Sequence, residues 1–258
     1  MAKLFYFLIL YLFLFPPAFA QDPVTDKAHQ FHSWFYYVGD HKISDKWGIH
    51  PEIQFRRTGF GRQPQQFLLR SAVNYHPSDK FMVSAGYVYS REYPYGVYPR
   101  DFELPEHRIY QQLEFEHKLG KYDLIHRTRT EQRFVADIEG VPDPDSEGNL
   151  RPVHQGWPLQ HRARYAISIN YPLQGVDIDN NEFYLFASNE VFLSFGRNVS
   201  NEFDQNRAQI GIGYQVGSFG RVEIGYLYQW ISDTDELSVE NNHTLTVSWI
   251  SRFDLKNL

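Results

Sequence analysis

The chain has 258 residues, a formal net charge of −6, an aromatic content of 17% and no cysteine. The lack of cysteine excludes a disulfide framework, thiol catalysis and a Cys-based zinc site, and the mild acidic balance argues against a nucleic-acid-binding protein. The length suits a single domain better than two, and the mean hydropathy of −0.49 would by itself indicate a soluble protein.

The N-terminus has the pattern of a secretory signal peptide. Lys3 supplies a positive start, Leu4–Phe15 is apolar, and the segment that ends at Ala20 offers a small-x-small cleavage site. A membrane anchor is the alternative, but the apolar run is shorter than the roughly 20 residues that a spanning helix needs. We therefore expect a cleaved signal peptide over 1–20, a flexible lead-in over 21–30 and one barrel domain over 31–258.

From Phe31 to Phe253 apolar and polar residues alternate with period two, which is the pattern of strands that have one apolar face. Tyr226 and Tyr228, for example, share one face of a segment, while Gln229 belongs to the other. The alternation predicts eleven strands, near 31–39, 46–57, 66–76, 80–91, 107–118, 121–135, 160–171, 182–195, 206–216, 221–231 and 243–253.

The connections between these strands alternate between short turns and longer loops, as in barrels with periplasmic turns and external loops. The predicted turns are 40–45, 77–79, 120, 173–181 and 217–220, and the predicted loops are 58–65, 92–106, 136–159, 196–205 and 232–242. The fold class that follows is all-β: a transmembrane antiparallel up-and-down β-barrel of 10–12 strands. Only every second residue of such a strand meets lipid, so a low mean hydropathy is compatible with it.

Two features do not fit this pattern. Bacterial single-chain barrels have an even number of strands, with both termini on the periplasmic side, whereas the alternation gives eleven. We therefore expect one strand to be missing, split or outside the barrel. Pro51 lies inside the second predicted strand, where its lack of an N–H removes a ladder hydrogen bond and predicts a β-bulge.

Aromatic residues fall at the ends of several predicted strands. Phe67 and Tyr75 bracket the third strand, and Phe81 and Tyr89 bracket the fourth. Tyr and Trp suit a boundary between water and hydrocarbon because one end of the ring is polar. The pattern predicts an aromatic girdle and favours a membrane barrel over a soluble sandwich.

If the apolar residues face lipid, the charged residues between them line the lumen. Buried charges of this kind must pair with one another or contact trapped water. Two interpretations remain open: a structural ion-pair ladder that fills a narrow barrel, or an arginine-lined anion path or binding cavity. The predicted lumenal network comprises Glu52, Arg56, Arg70, Arg108, Glu114, Glu116, Arg127, Arg129, Glu131, Arg133, Arg162, Arg164, Glu190, Arg207 and Glu223, with Gln54 on the same face.

An outer-membrane lipid hydrolase would need a serine that a nearby histidine activates at the lipid-facing rim. His126 falls on the outward face, and Ser168, Ser188 and Ser194 lie in strands, but no local motif joins them to a carboxylate or amide. We therefore expect no catalytic residues.

Two loops invite a functional interpretation. The segment 143–149 alternates oxygen ligands before a glycine, like the start of a calcium loop, but His154 stands where the bidentate Glu is expected, so we expect no metal site. The loop Tyr93–Phe102 is rich in tyrosine and proline. It could fold into the mouth as a lid or lie at the membrane surface, and its composition slightly favours the surface.

Several phrases, in order along the chain, carry a family resemblance. They are Trp34, 44–48 (SDKWG), 81–90 (FMVSAGYVYS), 107–111 (HRIYQ), 206–214 (NRAQIGIGY) and 242–246 (NHTLT). Together they resemble an uncharacterised family of bacterial outer-membrane β-barrels, catalogued as a domain of unknown function. The resemblance implies an outer-membrane location and a barrel of modest size. It implies no catalytic residues.

These observations favour a non-enzymatic protein of the bacterial outer membrane, either a structural or surface barrel or a narrow channel with an Arg/Glu lumen. No cofactor is implied. The expected partners are outer-membrane lipid, lipopolysaccharide and the barrel-assembly machinery that inserts the chain, with no nucleic acid and no identified solute. The alternatives are the lipid hydrolase and a soluble periplasmic β-barrel or sandwich that binds a ligand.

Overall fold

The structure is a computed structural model and describes residues 26–97, 99–146, 148–196, 199, 202–233 and 238–256. The predicted signal peptide and the first part of the predicted lead-in lie outside the described residues. Within the described part of the chain, no helix is long and apolar enough to cross a membrane.

The described residues form fourteen β-strands and the connections between them. The strands are β1 (Asp26–Gly39), β2 (His41–Lys42), β3 (Trp47–Thr58), β4 (Gln63–Ser78), β5 (Phe81–Glu92), β6 (Leu104–Leu119), β7 (Tyr122–Val135), β8 (Asp137–Pro142), β9 (Leu150–Gly156), β10 (Leu159–Pro172), β11 (Phe183–Phe195), β12 (Phe203–Val216), β13 (Gly220–Asp233) and β14 (Ser238–Ser251).

Eleven strands close into a barrel. Each of β3–β7 and β10–β14 pairs with its sequence neighbours in the sheet, and β1 pairs with both β14 and β3, which closes the ring. The two-residue β2 continues β1 after a break at Asp40, and the β8–β9 hairpin forms a separate sheet in the connection from β7 to β10. The all-β barrel predicted from the sequence is confirmed; its passage through a membrane stays a prediction.

The barrel closes through a parallel pair of strands. β1 and β14 run in the same direction with a continuous register from Asp26↔Ser238 to Gly39↔Ser251, while the other pairings of the ring are antiparallel. The predicted range of 10–12 strands is confirmed, but the expectation that one of the eleven strands is missing, split or outside the barrel is wrong, because all eleven join the ring through one parallel pairing. An odd number of up-and-down strands leaves the first and last strand parallel, so that β1 begins at one rim and β14 ends at the other.

These rims are named by their connections. The loop end is where β3 ends and β4 begins, and the turn end is where β4 ends and β5 begins; the turn end also carries the connections 43–46, 120–121, 173–182 and 217–219. β1 begins at the loop end, where His32 pairs with Thr58, and β14 ends at the turn end. The start of β1 and the end of β14 therefore lie at opposite rims of the barrel.

Pro51 does not create the predicted bulge. It pairs in register with Ser71 of β4, and the shift in this ladder lies instead at Arg56/Arg57. On its other side the β1–β3 ladder ends at Glu52 and the β2–β3 ladder resumes at Ile49, so Pro51 occupies an interruption between them. A residue without an N–H fits such a gap at little cost.

Two predicted boundaries are corrected. β1 begins at Asp26, because period two continues through Ala28 and Gln30, which are buried, so residues 26–30 are strand rather than lead-in. β6 begins at Leu104, so Glu106 belongs to a strand and not to the predicted loop 92–106.

The barrel is polar inside and apolar outside. Among the described residues, a small buried apolar cluster consists of Leu68, Val88 and Tyr110, with Ala72 packed against it, and buried polar side chains outnumber buried apolar ones. Large apolar side chains such as Ile210 and Leu113 are instead exposed on the outer wall, by 63% and 55%. A Cβ on Gly213 would lie 2.1 Å from the ring of Tyr184, so this glycine makes room for an aromatic side chain inside the lumen.

Candidate functional site

The lumen contains a cavity of about 470 Å³. Its wall includes fourteen of the fifteen residues predicted to form the lumenal network, and Gln54 as well. The remaining one, Glu131, lies beneath the wall with a side chain that is 0% exposed, in contact with arginines of the wall. The predicted residues that line the cavity are Glu52, Arg56, Arg70, Arg108, Glu114, Glu116, Arg127, Arg129, Arg133, Arg162, Arg164, Glu190, Arg207 and Glu223.

The largest ion-pair network runs across β7, β10 and β11. Glu131 accepts hydrogen bonds from Arg162 Nε and Nη2 at 2.8 and 2.6 Å, and from Arg164 Nη1 at 2.9 Å. Arg164 also donates to Glu190 at 2.7 Å, and Glu190 accepts from Arg127 at 3.0 Å. Each carboxylate is thus shared by two arginines, which holds these three strands in register from the inside.

Glu106 forms a second network near the loop end. Its carboxylate accepts hydrogen bonds from Arg108, at 2.6 and 2.7 Å, and from Arg133, at 2.5 and 3.1 Å. Glu106 lies in what the sequence pattern predicted to be a loop. Extending the alternation back by two residues from Arg108 would have placed it on the lumenal face.

Two smaller ion pairs lie toward the turn end. Glu52 accepts from Arg70 and from His50, the latter at 2.9 Å. Arg221, which was not among the predicted lumenal residues, pairs with Glu223 at 3.2 Å, and Glu223 accepts a hydrogen bond from the Tyr184 hydroxyl at 2.6 Å. Arg221 has the parity of Glu223 in β13, and that signal could have identified it.

Three lumenal arginines are bound by amides rather than by close carboxylates. Arg56 Nε and Nη2 donate to Gln54 Oε1 at 3.0 and 2.7 Å, and Arg129 donates to Gln112 Oε1 at 2.9 and 2.5 Å. With the Gln205 amide oxygen turned toward it, Arg207 donates from Nε at 2.8 Å and from Nη2 at 3.0 Å.

Aromatic rings support these guanidinium groups. Trp34, which is 1% exposed, lies against both Arg56 and Arg207, with the guanidinium carbons 4.1 and 5.2 Å from the ring centre. Arg207 also lies 4.8 Å from the ring of Phe192. An aromatic face stabilises a cation but leaves its charge in place, so Arg56 and Arg207 bring two formal charges to one ring.

The loop between β5 and β6 enters the mouth of the lumen. Tyr95 lines the cavity, and its ring meets His32 edge-on at 5.8 Å. A Cβ on Gly96 would lie 2.2 Å from Gln30 Oε1, so the loop backbone reaches the lumen wall itself, and burial raises the pKa of Tyr95. The lid interpretation therefore holds for Tyr95, and the surface position that the composition favoured is wrong for it.

The histidine and serines considered for a hydrolase lie on opposite faces of the wall. His126 is on the outside, where Nδ1 lies 2.8 Å from the Tyr165 hydroxyl and the ring stacks on His117. Ser168 and Ser188 are register partners on the lumenal side. The structure does not bring His126 together with either serine.

Among the described residues, no group of three or more His, Cys, Asp or Glu side chains is arranged to hold a metal ion. In the loop after β8, Asp143 Oδ1 accepts from the Asp145 backbone at 3.1 Å, and Asn149 donates to Ser146 at 2.6 Å. These side chains satisfy their own turn, and Glu147 lies outside the described residues.

Comparison with known proteins identifies the family. The chain is 27% identical over 205 residues to an uncharacterised protein of Methylorubrum extorquens, which covers 78% of this chain and 79% of that protein. No solved structure matches it significantly. The family model described as protein of unknown function (DUF2490) matches residues 31–240. The resemblance to an uncharacterised family is thereby confirmed, while the outer-membrane location that it implied stays a prediction, and the chain belongs to this family of proteins of unknown function.

Proposed function

We propose that this protein is a non-enzymatic β-barrel of the bacterial outer membrane, with a lumen filled by arginine–carboxylate pairs. One observation carries the proposal: the barrel exposes its large apolar side chains on the outside and buries its ions. Arg164 and Glu131 are 8% and 0% exposed at the side chain, whereas Leu245 is 51% exposed. Water would favour the opposite arrangement, while hydrocarbon favours this one.

The ends of the outer wall support the same proposal. Aromatic rings pair between adjacent strands near the turn end: Trp47 with Tyr75 at 4.8 Å, Phe81 with Phe115 at 4.7 Å, and Phe183 with Tyr214 at 4.7 Å. Rings at this level suit the boundary between headgroups and hydrocarbon.

Polar residues on the outer wall pair with one another. Gln111 and Gln132 exchange hydrogen bonds at 3.2 and 3.3 Å, and Asn189 and Asn206 exchange them at 3.2 and 3.1 Å. Pairing of this kind lowers the cost of placing amides in a medium without water. These pairs are therefore compatible with a lipid-facing wall.

The experiment is membrane fractionation of the full chain expressed in a Gram-negative host, followed by gel migration with and without heating. We expect the protein in the outer-membrane fraction, released only by detergent, with faster migration before heating because the folded barrel is compact. Its partners would then be membrane lipid, lipopolysaccharide and the barrel-assembly machinery. Recovery as a detergent-free periplasmic monomer would contradict the proposal and favour the soluble alternative.

A narrow channel is the second candidate, because the lumen retains a cavity and a loop residue occupies its mouth. Tyr95 is the side chain to remove. Planar-bilayer recording should show little conductance for the wild type and larger, anion-selective steps for Tyr95→Ala. The absence of conductance steps for both proteins would support the structural barrel and exclude ion conduction through the lumen past Tyr95.

A further inference from the structure

We infer that the lumen binds a small oxyanion, such as phosphate, between Arg56 and Arg207 beside the ring of Trp34. The inference deepens the proposed function by naming the class of solute that its lumen accepts. It depends on the lumenal position of these residues, and a phosphate-binding test is independent of the test for membrane location.

The lumenal arginines form two groups, which differ in whether a carboxylate or an amide binds them. Arg162, Arg164, Arg108 and Arg133 each bind a carboxylate at 3.1 Å or less. Arg56 and Arg207 bind the amide oxygens of Gln54 and Gln205 instead. An amide satisfies hydrogen bonds but contributes no negative charge. Glu190 is the register partner of Arg207, but it also binds Arg164 and Arg127, so one negative charge is shared among three arginines and the region of Arg56 and Arg207 keeps a net positive charge.

Arg56 and Arg207 share one environment. Both guanidinium groups contact the ring of Trp34 and both line the same cavity. Two like charges held at one buried ring repel each other in a medium of low dielectric constant. An anion between them would turn this repulsion into two attractions, and guanidinium forks match the geometry of phosphate oxygens.

The cavity that these arginines line has room for an anion, and its wall carries further positive charge. A cavity of about 470 Å³ has a volume that holds roughly 15 water molecules in the liquid, which is enough for a hydrated oxyanion. Arg129 adds a third amide-bound guanidinium to the wall, and its contact with Glu131 is long, at 3.9 Å. Glu131 already serves Arg162 and Arg164.

The other lumenal acids lie away from Arg56 and Arg207. Glu114 and Glu116 face the lumen from the turn-end half of β6, where Glu114 is the register partner of Arg127. Arg221 lines the same cavity and attracts both carboxylates. Glu114 and Glu116 thus have cations at their own end of the lumen, and the positive charge at Arg56 and Arg207 favours an anion there rather than a cation.

The test measures thermal unfolding of purified protein in neutral detergent while sodium phosphate is titrated against sodium chloride at matched ionic strength. We expect phosphate to raise the melting temperature of the wild type to a plateau. Arg56→Gln and Arg207→Gln should each weaken the apparent phosphate affinity at least tenfold, and Arg56→Lys should keep part of it because the charge remains. Arg221→Gln is the matched control: it removes the same charge from the same lumen, at an arginine that already has Glu223.

The result that overturns the inference is an equal response of the wild type to phosphate and chloride, or an equal phosphate response of Arg56→Gln, Arg207→Gln and Arg221→Gln. If Arg56→Gln does not fold, Arg207→Gln and Arg56→Lys still decide the question. A melting temperature that rises with phosphatidylglycerol in vesicles but not with free phosphate would also overturn the inference, because the bound anion would then be a lipid headgroup. Fractionation of the same variants tests membrane location separately.

Discussion

Residues of one type have different roles inside this barrel, and the difference lies in their partners. Arg162 and Arg164 share Glu131 and hold β10 to β7, whereas Arg56 and Arg207 are hydrogen-bonded by amides and lie against aromatic rings. The first kind contributes to stability because both charges of a desolvated pair are satisfied. The second kind supplies charge that a ligand can use.

Glu131→Gln tests the structural role. The substitution keeps the shape of the side chain but removes the charge on which Arg162 depends, so a buried guanidinium loses its counter-ion. We expect the free energy of unfolding to fall by about 3–5 kcal/mol, measured by urea denaturation in detergent micelles. Glu139→Gln in the exposed β8–β9 hairpin is the control and should change it by less than about 0.5 kcal/mol. Equal losses in the two variants would show that the lumenal network does not stabilise the barrel.

Among the strands, β1 determines the form of the barrel. It pairs antiparallel with β3 and parallel with β14, so one strand joins the two ends of the sheet. After β14 the chain continues beside β2, where Lys42 N donates to Phe253 O at 2.9 Å and Leu255 N donates to Lys42 O at 2.8 Å. The parallel pairing therefore extends beyond the strand and secures the junction at the turn end.

Cysteine cross-linking tests this junction, because the chain contains no cysteine of its own. Phe35 and Val247 are register partners across the parallel pair, and adjacent strands bring such residues within reach of a disulfide. We expect Phe35→Cys with Val247→Cys to form an intramolecular disulfide under mild oxidation, seen by mass spectrometry of the folded protein. The displaced pair Phe35→Cys with Leu245→Cys is the control and should link much less. Absence of the link in the first pair would favour an even, antiparallel closure.

At the scale of the whole molecule, the inverted distribution of polarity is the property that requires explanation. A soluble protein of this size buries an apolar core, whereas in the described part of this chain most buried side chains are polar and the outer wall is apolar. The free energy of folding must therefore come from the strand ladders, the lumenal ion pairs and, under the proposed function, contact with hydrocarbon.

Substitutions at two leucines of similar exposure can show whether lipid or water surrounds the outer wall. Leu245 on the barrel wall is 51% exposed and Leu150 in the β8–β9 hairpin is 52% exposed, so the two differ mainly in location. If the wall faces hydrocarbon, Leu245→Arg should destabilise the protein in phospholipid bilayers by about 2–4 kcal/mol, measured by denaturant unfolding from vesicles, while Leu150→Arg changes little. Equal, small effects would show that water contacts the wall and would remove the main support for a membrane barrel.

The sequence by itself determined the strands and which side chains face each way. Period two is a local property of an extended chain, so Arg164, Glu190 and Arg207 could be assigned to one interior without knowledge of their partners. The early boundary of β6 was missed because loop composition outweighed two further alternating positions.

Only the tertiary structure decided whether the barrel has an odd or an even number of strands, how Pro51 fits into the sheet and which residue pairs with each arginine. Closure joins β1 to β14 across more than 200 residues of sequence, and such a contact depends on the twist and tilt of the complete sheet rather than on either strand. The choice between Glu131 and Gln54 as an arginine's partner likewise depends on which strands become neighbours. Local periodicity fixes the direction of a side chain, whereas the surrounding sheet determines what it meets there.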